Sequence, residues 1–391
     1  MHRRVAARSQ LLLARGVRCL QSPKVLHTAS PAAASGAEEI RYLVVDGYVK
    51  LGRDVLKAGG ATTAGQLYAN MLVKATKRSV GRSAEYDLVY PADPGFVVPD
   101  LSKYHGVGWS GSSLAVRERE DPSVVQMMNL ARLSFARGIP QFGSCFGLQL
   151  AVATAGGVVQ KNQHGKELGV ARKIHLNAAG RAHPMYEGKP SVFDAFSSHK
   201  DEVRVIQPGG LLLATNAFTT VQSVCLRYLK GEFWGLQYHP EYDLHEMARL
   251  LYCRRDMNTQ LGFFTDVEDS DRFVDLLEEL AADPSREDIA WQIGYDKDVL
   301  DEDLRTCEVK NFVKHSVMPY YVQCQQGGDR KSRMFHADKK RWRSRDRLQE
   351  VLQPWQDQGE SWTEILGGMD RDLSAYNIVI KSVYMYMWML F

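Results

Sequence analysis

No two of the six cysteines stand close enough to form a redox pair or a zinc knuckle. Cys19, Cys145, Cys225, Cys253, Cys307 and Cys324 are scattered, and none belongs to a CxxC. This spacing argues against thiol-rich metal modules and a disulfide framework. It fits reduced thiols in a non-secretory compartment, one of which is free to be a nucleophile. A glycine-rich P-loop is also missing, and no segment repeats. The most apolar terminal run, residues 383–391, is too short to span a bilayer. Neither sign of charge is in large excess: the net value is only +3, so no nucleic-acid partner is expected and an anionic membrane is not suggested. Acidic residues are absent before Glu38, whereas Arg3, Arg4, Arg8, Arg15, Arg18 and Lys24 crowd the same stretch. A leader rich in Arg and Ser and free of acid has the composition of an organellar transit peptide. Residues 1–37 are therefore expected to target the chain to the mitochondrion, with plastid or cytosol as the alternatives.

What is present is an ordinary globular composition, 45% apolar and 24% charged. The β-branched run Ile40 to Val45 reads as a first buried strand, ended by Asp46-Gly47. A helix is expected over about Ala61 to Ala75, then strands at Glu85–Tyr90 and Gly106–Trp109. Asp121-Pro122 opens another helix, Val124, Met128, Ala131 and Phe135 mark its apolar face, and Gly138 closes it. Ile139 to Phe142 reads as a fourth strand. Strands alternating with helices predict an α/β fold around a largely parallel sheet. Beyond Gly157, strand-like runs at 170–176, 211–216, 221–226 and 232–238 predict an antiparallel extension, followed by a helix over 243–255. The expected organisation is a main domain over 38–264 and a helical extension over 265–319. A poorly ordered basic and aromatic tail is expected over 320–391, where a gene-model artefact is the alternative.

Two motifs carry chemistry. Gly143-Ser144-Cys145-Phe146-Gly147 follows the fourth strand and precedes a helix, which is the nucleophile-elbow pattern with sulfur in place of oxygen. A lone cysteine is more often a small buried apolar residue, but the glycine frame overturns that reading. The start of a helix favours an anion, which suits a thiolate. Tyr238-His239-Pro240-Glu241 ends a later strand and supplies an imidazole with a carboxylate two residues on. A thiol needs a base, and the base needs an orienting group. Cys145, His239 and Glu241 are the expected catalytic residues.

Gly-Ser-Cys-Phe-Gly-Leu-Gln at 143–149 and Gln-Tyr-His-Pro-Glu at 237–241 together resemble the class I glutamine amidotransferases. The resemblance covers about residues 40–255 and is nearest to stand-alone enzymes of the GMP-synthase-like kind. Phe146 stands where the family usually has Leu or Trp. The resemblance implies a flavodoxin-like α/β sheet, and with the residue readings above the expected fold is three-layered, with a mostly parallel central sheet, an antiparallel extension and a C-terminal helical appendage. It implies that Gly111, in Trp109-Ser110-Gly111-Ser112, and Phe146 form an oxyanion hole, although Ser112 replaces a second glycine. It also implies that Gln149, and Ser198 and His199 within Ser-Ser-His-Lys-Asp-Glu-Val, lie in the substrate site. His199 is a tempting second base, but its spacing to a carboxylate is unlike the triad. Asp46 reads as a turn residue.

The implied reaction is hydrolysis of the glutamine side-chain amide through a Cys145 γ-glutamyl thioester, with no metal or organic cofactor. The substrate is glutamine or a γ-glutamyl compound, and a separate ammonia-accepting synthase is one candidate partner. A γ-glutamyl peptidase or hydrolase using the same triad is the main alternative. A non-catalytic flavodoxin-like binding module is a third reading, which the complete set of triad residue types argues against.

Overall fold

The computed structural model of the chain describes residues 39–326. The expected targeting segment, and the tail from 327 on, lie outside the described residues.

The first half alternates strand and helix as expected. It comprises β1 (Ile40–Val45), α1 (Lys50–Ala58), α2 (Ala64–Val80), β2 (Ala84–Val89), β3 (Gly106–Trp109), α3 (Pro122–Arg137), β4 (Gln141–Ser144) and α4 (Phe146–Thr154). The second half is mostly strand: β5 (Val158–Lys161), β6 (Glu167–Leu176), a short α5 (Ala178–Ala182), β7 (Val192–His199), β8 (Asp201–Val205), β9 (Gly210–Thr215), β10 (Ser223–Tyr228) and β11 (Gly231–Leu236). Helices then take over: α6 (Leu244–Cys253), α7 (Arg255–Gln260), α8 (Val267–Ala282), α9 (Glu287–Ile293), α10 (Lys297–Leu300), α11 (Glu302–Arg305), α12 (Cys307–Phe312) and α13 (Met318–Gln325).

Nine strands form one mixed sheet in the order β2-β1-β3-β4-β11-β10-β9-β6-β7. The five strands from β2 to β11 are parallel, and the pairings from β11 through β7 are antiparallel. β5 and β8 form a separate antiparallel pair. This is the α/β sheet with an antiparallel extension that the sequence predicts.

Both faces of the sheet are covered, which is why its central strands are apolar without alternation. Tyr42 and Val44 face a layer built from Tyr68, Leu72, Val309, Phe312 and Val317. Leu43 and Val45 face the other layer, where Met127, Leu130 and Phe135 of α3 meet Leu148 and Val152 of α4. A third cluster joins α1 and α6 to α8, α9 and α10 through Leu56, Met247, Leu251, Val274 and Leu277.

Several elements depart from expectation. The fourth strand starts at Gln141, two residues later than the sequence suggests, because the preceding backbone is used otherwise. Ile139 N–H donates to Ser134 O to close α3, and Pro140 has no N–H to give. Helix α1 was not foreseen; no side chain caps its first turn. Helix α2 starts at Ala64 and runs to Val80, where Gly81 ends it with φ 71°. Strands β5, β7 and β8 were also missed. The expected boundary at 319/320 is a correction: α13 runs through it, and Tyr320 and Tyr321 are buried. The core there needs those rings, so the helical extension includes Tyr320 and Tyr321.

Candidate active site

Strand β4 ends beside β11, with Ser144 in register with Leu236. The chain turns sharply at the next residue and enters α4. Cys145 holds that turn with φ 51° and ψ −106°, a conformation that strains a residue bearing a side chain by about 1–3 kcal/mol. Its N–H donates to Leu236 O at 2.7 Å, and its carbonyl accepts from Gln149 N at 3.0 Å. The turn is so tight that its glycines are required. A Cβ on Gly143 would lie 2.7 Å from the Phe233 ring, and one on Gly147 would lie 2.7 Å from Trp109 O. The elbow expected from the motif is therefore present, with the thiol buried at the start of a helix.

Strand β11 ends just before Gln237, and His239 N–H is anchored by Phe196 O at 2.8 Å. His239 Nδ1 and Glu241 Oε1 are 2.7 Å apart, and both side chains are almost fully buried. The second oxygen of Glu241 accepts from Ser144 Oγ at 3.1 Å, and the Ser144 hydroxyl in turn contacts the Tyr68 hydroxyl. Tyr242 stacks flat on the imidazole, with ring centroids 4.3 Å apart and planes 12° apart. Burial pulls the His239 pKa down, but the Glu241 carboxylate and the Cys145 side chain outweigh it and raise it to about 10. His239 Nε2 is buried and makes no hydrogen bond of good geometry, although the sulfur is near enough to influence the ring's charge. The structure thus brings Cys145, His239 and Glu241 into one cluster.

Gly111 closes the same cluster. A Cβ placed on it would lie 3.0 Å from His239 Cε1 and 4.0 Å from Cys145 Cβ, so only glycine lets the loop approach this far. Phe146 is the first residue of α4, where backbone N–H groups have no partner within the helix. Ser112, the departure from a second glycine, ties the loop down. Its hydroxyl donates to Gly47 O at 2.7 Å and accepts from Leu114 N at 3.0 Å.

The three expected substrate residues fare differently. Gln149 is buried, and its amide donates to Asp201 O at 2.8 Å and to Gln237 Oε1 at 3.1 Å. His199 has both ring nitrogens engaged, Nε2 with Glu167 Oε2 at 2.9 Å and Nδ1 with Asp201 O at 3.0 Å. Glu167 also accepts from Asn216 and Gln222. Burial would raise its carboxyl, but His199 and these amides hold it below the usual range. That network occupies His199 and leaves it no nitrogen for a base's work. Ser198 Oγ accepts from Arg254 Nη1 at 3.3 Å. Asp46 is a structural tie, accepting from Tyr48 N and Gly65 N at 2.9 Å each.

Sequence reasoning missed Ser144, Tyr68, Tyr242, Tyr48 and Arg254. Ser144 and Tyr242 lie inside or next to the two motifs and could have been read from them. Tyr48 and Arg254 meet across 206 positions, and no local pattern announces that contact.

Residues 102–253 match the family model for glutamine amidotransferase class-I. The chain is 29% identical over 293 residues to a gamma-glutamyl-L-1-hydroxyisopropylamide hydrolase of a Pseudomonas species, covering 72% of this chain and 95% of that protein. It is 25% identical over 171 residues to a glutamine-hydrolyzing GMP synthase component of Methanococcus maripaludis, covering 43% of this chain and 87% of that component. With the GMP synthase of Thermosipho africanus it shares 30% identity over 132 residues, 34% of this chain but only 23% of that enzyme. Among solved structures, a glutamine amidotransferase from Thermotoga maritima shares the fold at a TM-score of 0.50 and 16% identity, over 72% of this chain and 99% of that one.

Proposed function

We propose that this chain, which carries a class I glutamine amidotransferase domain and is an enzyme acting on glutamine or γ-glutamyl amides, works through a covalent intermediate on Cys145. The observation that carries the reading is the buried His239–Glu241 pair at 2.7 Å, set beside a cysteine held at φ 51°. With His239 held protonated between Glu241 and Cys145, the Cys145 thiolate attacks the γ-carbonyl carbon through Sγ. The carbonyl oxygen gains the negative charge, and the Gly111 and Phe146 N–H groups are its donors. His239 then protonates the leaving nitrogen, the C–N bond breaks and a γ-glutamyl thioester remains. Water attacks the thioester, gives its proton to His239, and glutamate leaves as the thiolate and the protonated imidazole are restored. Glu241 orients the imidazole and stabilises its charge.

The leaving nitrogen separates two substrates. A γ-glutamyl amide other than glutamine is favoured by the match to the Pseudomonas hydrolase, which spans 95% of that protein. Free glutamine, with ammonia passed to a separate synthase, is supported by the match to the Methanococcus GMP synthase component. Turnover of glutamine and of a panel of γ-glutamyl amides by the purified chain decides between them. Hydroxylamine added to the assay should yield γ-glutamyl hydroxamate, as a thioester predicts. Turnover without hydroxamate, or hydrolysis of neither substrate class, would refute the reading.

A further inference from the structure

Two cationic side chains, Arg254 and Lys166, are joined through Asn258, whose N–H donates to Arg254 O at 2.9 Å, and neither is paired to an acidic side chain among the described residues. Arg254 caps the end of α6, and its Nη2 donates to the Tyr48 hydroxyl at 2.8 Å while Nη1 donates to Ser198 Oγ at 3.3 Å. Lys166, just before β6, donates from Nζ to Asn258 Oδ1 at 2.7 Å. Asn258 is fully buried, and its own Nδ2 has no acceptor among the described residues. Among the described residues neither Arg254 nor Lys166 pairs with a carboxylate. This is unusual for partly buried cations, which are normally neutralised. The groups also sense one another. Burial lowers the Lys166 pKa to about 7, and the Arg254 and Lys200 charges add to the effect. Tyr48, which holds Arg254, directly follows Gly47, where an added Cβ would lie 3.0 Å from Gly111 O and 3.3 Å from the Phe146 ring, so the guanidinium is tied to the loop that closes on Cys145.

We infer that Arg254 and Lys166 bind the free α-carboxylate of the γ-glutamyl group and so restrict the substrates to γ-glutamyl compounds whose α-carboxylate is ionised. The inference rests on the proposed role of Cys145. In a γ-glutamyl group a short aliphatic spacer separates the attacked carbonyl from the α-carboxylate, so an anion site close to the sulfur suits it. A guanidinium can meet a carboxylate with two parallel N–H bonds, and Lys166 adds a second charge. Tyr48 and Ser198 position the guanidinium. The exposed Lys200 adds field from the turn between β7 and β8. Ser198 thereby acts on substrate through Arg254.

The test uses the full chain and two matched substrates, γ-glutamyl anilide and the same anilide with its α-carboxylate converted to a carboxamide. The wild-type protein is expected to lose at least about tenfold in kcat/KM on the carboxamide, mainly through KM. Arg254→Gln and Lys166→Met should each raise KM for the carboxylate substrate and narrow the difference between the two, with Arg254→Gln showing the larger effect. A readout without turnover is protection of Cys145 from iodoacetamide. Glutamate should protect it, and the α-amide of glutamate should not. Equal kcat/KM on both anilides, or equal protection by both ligands, would overturn the inference and leave the hydrolysis reading standing. Selective protection without turnover of glutamine or of any γ-glutamyl amide would uphold the inference and overturn the hydrolysis reading.

Discussion

Tyr238, the residue before the proposed base, donates a 2.7 Å hydrogen bond to Glu308, a fully buried carboxylate of α12. Lys189 pairs with the same carboxylate at 3.0 Å, and the Tyr186 and Tyr238 hydroxyls are 2.9 Å apart. The helical extension therefore reaches into the strand end that carries His239. Removing one partner of a buried pair leaves an uncompensated charge, which costs about 3–5 kcal/mol. Glu308→Ala should lower unfolding stability by that amount in urea titrations and lower activity with it. A change below about 1 kcal/mol would show that the pair is not buried as described.

Cys145→Ser should abolish turnover while preserving the fold, because an alcohol has no anionic form near neutral pH to match a thiolate. Activity within about tenfold of the parent would remove Cys145 from the role assigned here. Circular dichroism of the variant checks that the elbow still forms.

His239→Ala should cost more activity than Glu241→Gln, since Glu241 orients the imidazole and the imidazole moves the proton. A protein that survives His239→Ala but fails with His199→Ala would reverse the assignment.

The raised pKa of His239 also links pH to stability. The folded imidazole titrates near 10 and the unfolded one near its ordinary 6.5, so between these values the folded state holds more protons. This contribution is fully present below about pH 6.5 and is lost as pH rises toward 10. Glu241 and Cys145 are the groups that raise the value, working against burial, and Tyr242 covers the ring. Glu241→Gln should flatten the decline, as read from urea midpoints at pH 6 and pH 9.5. An equal decline in both proteins would show that His239 is not its source.

A chain ending at Gln326 should keep its stability, and a chain ending at Pro319 should not. The second cut removes two buried rings, each contributing roughly 2 kcal/mol by burial. It also removes the Arg82 hydrogen bond to the Tyr321 hydroxyl at 3.1 Å and the edge contact of Tyr321 with His105. Melting temperatures of the two truncations decide the point.

The parts of the site that could be read from sequence are those built from adjacent residues. Gly143, Cys145 and Gly147 act on one turn, and His239 and Glu241 are two residues apart, so short segments show them. Helix α3 was legible because Asp121, Pro122 and Gly138 mark both of its ends. Strand β7 was not, although its Phe193 and Phe196 are buried, because no periodic signal there is strong enough to separate it from the turns around it. The Arg254–Tyr48 contact depends on α6 and the segment after β1 packing together, which only the tertiary fold decides. The boundary at Pro319 failed for a similar reason: a change in composition there does not coincide with the end of the core.

The row His239, Glu241, Ser144, Tyr68 runs inward from the sulfur and stops among fully buried side chains. Each oxygen of Glu241 already faces a hydrogen-bond donor, so the row is a cul-de-sac for protons. Among the described side chains both Glu241 oxygens behind the imidazole are taken, so the proton on His239 Nε2 leaves by the face that meets the substrate. The hydrolytic water and the leaving nitrogen then share one proton site, His239 Nε2, and turnover should be indifferent to the concentration of external buffer.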